Sequence, residues 1–177
     1  AASCVLRFDA GDWPLACAGD FAALTPATLA QVRAVVHPPA RWRLLENRTS
    51  FEREAKRRAP DDAVVWLPGF PPGWWMAAMR RLLELAPAPA RIACDPDPAG
   101  VEIALRAGLV WDAAGLGWEP WRMDAAALAA LPATLPLTAD DRVRIARLRS
   151  VALPAQWAAL LDAFETLGAK GEQEGGE

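Results

Sequence analysis

Three carboxylates have the type and spacing to do chemistry. Glu46 follows the apolar stretch Trp42–Leu45, and Asp95 and Asp97 follow the apolar stretch Arg91–Cys94. If both stretches are strands of one parallel sheet, the acids sit at its carboxyl edge, where open α/β sheets bind ligands. Alternate residues of an extended segment point the same way, so Asp95 and Asp97 face together. Pro96 and Pro98 stiffen the segment, and Gly100 lets the backbone approach a ligand closely. Clustered carboxylates repel one another unless a divalent cation sits among them. An all-oxygen set suits Mg²⁺ or Mn²⁺, which would bridge to phosphate oxygens. The alternative is structural: an Asp before a helix is often only an N-cap, and Glu46 a solvated strand end. Spacing alone leaves the two even.

The elements that must position these residues alternate. Trp42–Leu45 is a strand, followed by a helix capped at Thr49, with Glu52 at capping-box spacing, and running to about Arg58. Ala63–Leu67 is a second strand, and Pro71-Pro72 opens a helix to about Ala86 that buries Trp75, Met79, Leu82 and Leu83. Arg91–Cys94 is a third strand, Pro98 opens a helix to Gly108, and Trp118–Met123 is a fourth strand. This pattern predicts an α/β fold with a central parallel, Rossmann-like sheet of about four strands flanked by helices. Extra C-terminal helices follow over Asp124–Leu131, Ala139–Arg149 (capped by Thr138) and Pro154–Leu167. Residues 1–40, with a strand at Cys4–Phe8 and a helix from Thr25-Pro26 through Val36, read as a lead-in left from a preceding region. The main domain spans 41–167, and 168–177 is a polar tail carrying Glu172-Gln173-Glu174, where composition favours disorder. The start at Ala1-Ala2-Ser3, without Met, suggests a domain cut from a longer chain.

The wording around the acids resembles a known family. A strand-end Glu46 followed some fifty residues later by Asp95-Pro96-Asp97-Pro98-Ala99-Gly100 is similar to the Toprim signature. Glu46-Asn47-Arg48-Thr49-Ser50-Phe51-Glu52, the Leu67-Pro68-Gly69-Phe70-Pro71 turn and the terminal Glu172-Gln173-Glu174 further resemble the C-terminal Toprim region of the JetD subunits of Wadjet defence systems. That region is related to the A subunit of topoisomerase VI. The resemblance covers about 41–174. It implies a Toprim-like sheet, Asp95 and Asp97 as Mg²⁺ (or Mn²⁺) ligands, and Glu46 as a ligand or general acid/base. It also puts Glu172 or Glu174 near the same site. The Gly175-Gly176-Glu177 ending departs from the family's usual apolar continuation. The implied activity is DNA cleavage in cytoplasmic anti-plasmid defence. The implied partners are DNA, other subunits of an SMC-like complex and a second copy of the chain.

The chain has no tyrosine, the nucleophile with which topoisomerases cut DNA. If this segment cuts by itself, water activated by a metal is the expected nucleophile. Arg48, Arg53 and Lys56, beside Arg57 and Arg58, suit phosphate-backbone contacts, or equally a solvated face interleaved with Glu52 and Glu54. Arg142, Arg144, Arg147 and Arg149 read as a solvated face ahead of a DNA or partner surface. Trp74, Trp75, Trp118 and Trp121 read as packing residues ahead of base-stacking ones. Glu102 would reach a second cation or serve as a first-turn acid.

Composition sets the outer limits. At 177 residues the chain makes one domain with a sizeable core, and its 53% hydrophobic content is globular. A net charge of −3 excludes a uniformly basic nucleic-acid binder but not a local basic patch. Three cysteines at unrelated spacings and one histidine argue against structural zinc and fit reduced thiols in a cytosol. No apolar run reaches about 18 residues, so no membrane span is expected. Two other functions remain: a non-catalytic Toprim module for DNA binding or assembly, and an aspartate-dependent phosphotransferase. The second fits less well, because its Asp-x-Asp belongs on a first strand with Thr or Val soon after, not on a third strand followed by Pro98-Ala99-Gly100.

Overall fold

The computed structural model describes residues 4–15, 21–57 and 59–171. Two sheets lie in the first two-thirds of the chain. In the smaller, β1 (Val5–Phe8) pairs antiparallel with β2 (Gly11–Pro14) on one side and β3 (Ala34–Val36) on the other. The main sheet is all parallel, with β4 (Arg41–Leu45), β5 (Asp62–Trp66), β6 (Ala90–Ala93) and β7 (Trp118–Pro120) in the order β5-β4-β6-β7. Helices α2 (Arg48–Arg57), α3 (Gly73–Leu85) and α4 (Pro98–Ala113) make the crossovers. The remainder is α5 (Ala125–Ala129), β8 (Thr134–Pro136), α6 (Ala139–Leu148), α7 (Ala155–Leu167) and β9 (Ala169–Gly171), with β8 and β9 antiparallel. α1 (Pro26–Ala30) lies in the lead-in. The expected α/β class and helix-flanked four-stranded parallel sheet are present.

Successive strand residues face opposite layers. Leu44 and Ile92 pack with Trp75, Met79, Val101 and Ala104 under α3 and α4. Leu45 and Ala93 pack with Phe51 of α2 on the other face. Leu6, Leu29, Val32 and Val35 join the larger core, so the segment before Arg41 shares it.

Several elements differ from the sequence reading. The first helix ends at Ala30, because the β-branched pair Val35–Val36 is taken up by β3 against β1. The cap of α2 is Asn47, whose Oδ1 accepts from Ser50 N–H at 2.9 Å, so Thr49 lies inside the first turn. Arg58 lies outside the described residues. α4 runs on past Gly108, where the missing side chain seats the Trp118 ring; a Cβ there would fall 2.2 Å from Trp118 Cε2. β2, β8 and β9 are too short to show alternation, and β9 falls in the segment read as a disordered tail. Trp75 is buried as expected, but Trp74 is 54% exposed.

Candidate functional site

The strand order reverses direction between β4 and β6. The chain leaves β4 toward β5 on one side, and leaves β6 toward β7 on the other. The loops diverge there and open a crevice at the carboxyl edge. Glu46 follows β4, and Asp95 and Asp97 follow β6, so both fall at this switch point.

The side chains of Glu46 and Asp97 are held by local backbone. Glu46 N–H donates to Ala93 O at 3.0 Å, which continues the β4–β6 ladder one step past the strand. Its Oε2 accepts from Asp95 N–H at 3.3 Å. Its Oε1 looks toward Gly69, where a Cβ would lie 3.9 Å away. Gly69 has φ +61, a left-handed turn that glycine takes without strain. Trp66 Nε1 donates to Glu46 O at 3.0 Å and steadies the strand end. In the Asp95–Asp97 segment, Pro96 and Pro98 are buried and the two acids half-buried, the alternation expected of an extended stretch. Asp97 caps α4, its Oδ1 accepting from Gly100 N–H at 2.5 Å. Gly100 is required there, since a Cβ would sit 2.1 Å from Asp95 O.

Electrostatics tie the three together. Burial, then the charges of Asp95 and Asp97, pushes Glu46 from an ordinary 4.5 up to about 7. Burial also lifts Asp97 from 3.8 to about 6; Asp95 and Asp141 add repulsion, while the Gly100 N–H and Lys170 act against the rise. Burial raises the Cys94 thiol well above its usual range, with Glu46 and Asp95 adding to it.

The sequence reading missed two members of this neighbourhood. Lys170 on β9 bonds Asp141 of α6 at 3.0 Å, with both side chains largely buried. Burial works against the Asp141 charge, but bonds from the Thr138 N–H and hydroxyl and from Lys170 outweigh it and hold that carboxyl low. Gly171 N–H donates to Pro96 O at 3.0 Å, so β9 docks on the acidic segment itself. The only signal in sequence was proximity: Lys170 stands two residues before Glu172. Glu172 and Glu174 lie outside the described residues.

The other candidates are placed as follows. Arg48 pairs with Glu52 at 2.9 Å and is 77% exposed; Arg53 is half-buried and Lys56 exposed on the same helix. Glu102, a candidate for a second cation, is bound by Arg144 and by Arg147, the latter at 2.9 Å. Arg149 pairs with Asp162 at 2.7 Å and Glu165 at 2.5 Å. The basic face of α6 is therefore largely ion-paired, and Arg144 also lies 5.6 Å from the ring centre of Phe70 in the turn beside Glu46. Trp121 is covered by Arg122 at 4.3 Å and Arg43 at 5.1 Å.

Among the described residues, no three His, Cys, Asp or Glu side chains converge into a ready-made cation site. The backbone bonds explain why: Glu46 is turned onto Asp95 N–H and Asp97 onto Gly100 N–H. The donor chemistry suits a hard divalent cation, since every donor is a carboxylate oxygen and the acids repel one another at half-buried positions. Gathering them around an ion requires side-chain rotation. No helix among the described residues is long and apolar enough to cross a membrane. No family model matches the chain, and no curated protein is significantly similar to it.

Proposed function

We propose that the chain is a Toprim domain of the JetD type, which hydrolyses DNA phosphodiester bonds with Mg²⁺ or Mn²⁺. The observation that supports this is the meeting of Glu46 and the Asp95–Asp97 segment at the switch point, where burial and mutual repulsion raise two of the acids. A bound divalent cation would supply Lewis-acid stabilisation of the charge developing on the phosphate. Asp95 and Asp97 would hold it. Glu46, near 7 in the absence of metal, can also take a proton from water or return one to the leaving oxygen. Arg48, Arg53 and Lys56 would contact flanking phosphates. The setting would be cytoplasmic defence within an SMC-like complex, with a second copy of the chain as a further partner.

The test is cleavage of supercoiled plasmid by the full chain in Mn²⁺, wild type against Asp97→Asn. Nicking or linearisation by the wild type alone is expected. Retained cutting by the variant would overturn the assignment. A second reading, a non-catalytic DNA-binding or assembly module, is favoured by the engagement of the acids with backbone N–H groups. DNA binding without cutting in any divalent ion would select it.

A further inference from the structure

We propose that Trp66 and Phe70 are stacking platforms for unpaired bases, so that the DNA taken at the carboxyl edge is single-stranded where it meets Glu46. This rests on the reading that the chain binds DNA at the switch point, and it names the class of strand that the crevice takes.

Four aromatic side chains stand exposed among the described residues: Phe21, Trp66, Phe70 and Trp74. Phe21 is packed edge-on against Phe51, with ring centres 5.4 Å apart. The other three lie on the connection from the end of β5 to the start of α3. The large aliphatic side chains that are exposed all lie from Leu109 onward, so at this connection the exposed large side chains are aromatic alone.

Two of the three rings are tied to the strand end that carries Glu46. Trp66, on the edge strand β5, donates its indole N–H to Glu46 O at 3.0 Å, and its own carbonyl accepts from Trp75 Nε1 at 3.1 Å. The polar end of the indole is thus satisfied within the protein, yet Trp66 is 46% exposed. What it presents to solvent is apolar ring, anchored at one atom, with little rotamer freedom left to lose on binding. Phe70, equally exposed, is carried by the turn Pro68-Gly69-Phe70-Pro71. Gly69 of that turn has φ +61, and a Cβ there would lie 3.9 Å from Glu46 Oε1. The Arg144 guanidinium lies 5.6 Å from the Phe70 ring centre, within cation–π reach. α2 begins two residues after Glu46 and opens with Arg48, which is 77% exposed.

Every base has a flat π-face that stacks on an aromatic ring whatever the sequence, and nearby cations meet the phosphates. In a duplex both faces of a base are covered by its neighbours, so an exposed ring can take only an unpaired one. An apolar protein segment seated here would leave the Arg48 and Arg144 guanidinium groups without a new partner, whereas each phosphate of a strand is one.

The test is anisotropy binding by the full chain in EDTA, so that no metal chemistry enters, with circular dichroism as the folding control. The probes are a labelled thymidine oligonucleotide, the same strand with its central bases replaced by abasic sites, and the duplex of the same length. The wild type should bind the intact strand about tenfold more tightly than the abasic one, which carries the same phosphates. It should also bind the intact strand more tightly than the duplex. Trp66→Ala/Phe70→Ala should lose the tenfold on the intact strand and nothing on the abasic one. Trp66→Phe, which keeps a ring and gives up the indole N–H, should retain the preference. If the double alanine variant does not fold, 2-aminopurine flanked by abasic sites reads the stacking in the wild type, and its emission should fall on binding. A wild type that binds intact and abasic strands alike, or prefers the duplex, would overturn this inference and leave the DNA reading standing. So would a folded double alanine variant that keeps the tenfold, a Trp66→Phe variant that loses it, or 2-aminopurine emission unchanged on binding. A chain that binds neither strand nor duplex would overturn both.

Discussion

Glu46 Oε2 accepts from Asp95 N–H at 3.3 Å, so a carboxylate at the end of one strand grips the backbone at the end of its neighbour. The bond and the burial around it have opposite effects on the Glu46 charge, and burial prevails. Glu46 is therefore raised in the folded protein from 4.5 to about 7. For a raised acid, the folded state favours the protonated form. That contribution to stability is full below about pH 4.5 and is lost as pH rises through about 7. Glu46→Gln is neutral at every pH and escapes the loss. In EDTA, its melting temperature should match wild type near pH 4.5 and exceed it at about pH 8. A variant less stable than wild type at the higher pH would mean that the ionised carboxylate is welcome at this position.

Asp97 does two jobs, which two substitutions separate. Asp97→Ala removes both the charge and the α4 cap, and should cost about 0.5–2 kcal/mol in denaturant unfolding. Asp97→Asn keeps a capping oxygen, since Asn caps as well as Asp, and should stay close to wild type in stability. Both should lose Mn²⁺ binding by calorimetry. Metal binding that survives in Asp97→Asn would reduce Asp97 to a cap.

Gly100 carries the close approach between α4 and the acidic segment. A Cβ at this position would meet Asp95 O at 2.1 Å and Asp95 C at 3.1 Å, both backbone atoms that cannot swing aside. Gly100→Ala should therefore destabilise by about 1–3 kcal/mol, as overpacking does. It should also weaken Mn²⁺ binding by moving Asp95. A substitution at Gly115, where nothing lies within 4 Å, is the control for packing, although its φ of +68 adds strain of its own. Unchanged metal affinity in Gly100→Ala would show that the acids tolerate the shift.

What the sequence made legible was the repeating unit. Short apolar runs, alternating with longer amphipathic ones, locate all four parallel strands within a residue at their starts. They also put Glu46, Asp95 and Asp97 at strand ends. Thr138 caps α6 in a full box with Asp141, and Gly168 ends α7 in the left-handed conformation, both as their residue types predict. What stayed hidden depended on pairing between distant segments. β9 is defined by its pairing with β8, where Lys170 lies opposite Leu135, and no local period announces three residues inside a Gly/Glu-rich stretch. The same holds for Glu102, whose partners lie more than forty residues along the chain. A Trp74-Trp75 pair likewise does not say which ring faces inward. The helix phase set by Met79 and Leu83 gives that place to Trp75.

The basic residues of α2 make the last prediction, because they can be tested without any metal. Arg48 is bonded to Glu52 one helical turn away, but an exposed pair of this kind is worth about 0–1 kcal/mol and exchanges readily for a phosphate. Lys56 is exposed and Arg53 half-buried on the same helix, which starts two residues after Glu46. A DNA strand entering the switch-point crevice would pass this helix, and each phosphate it neutralised would release counterions. In duplex binding measured by anisotropy across a salt series in EDTA, log K should fall linearly with log salt. The Arg48→Ala/Arg53→Ala/Lys56→Ala variant should weaken binding alike for unrelated sequences. It should also flatten the slope by about 0.9 for each phosphate that the helix then leaves without a basic partner. An unchanged slope would return these residues to a solvated helix face. It would also place any DNA path on another side of the crevice, toward Arg144, which lies over Phe70 beside Glu46.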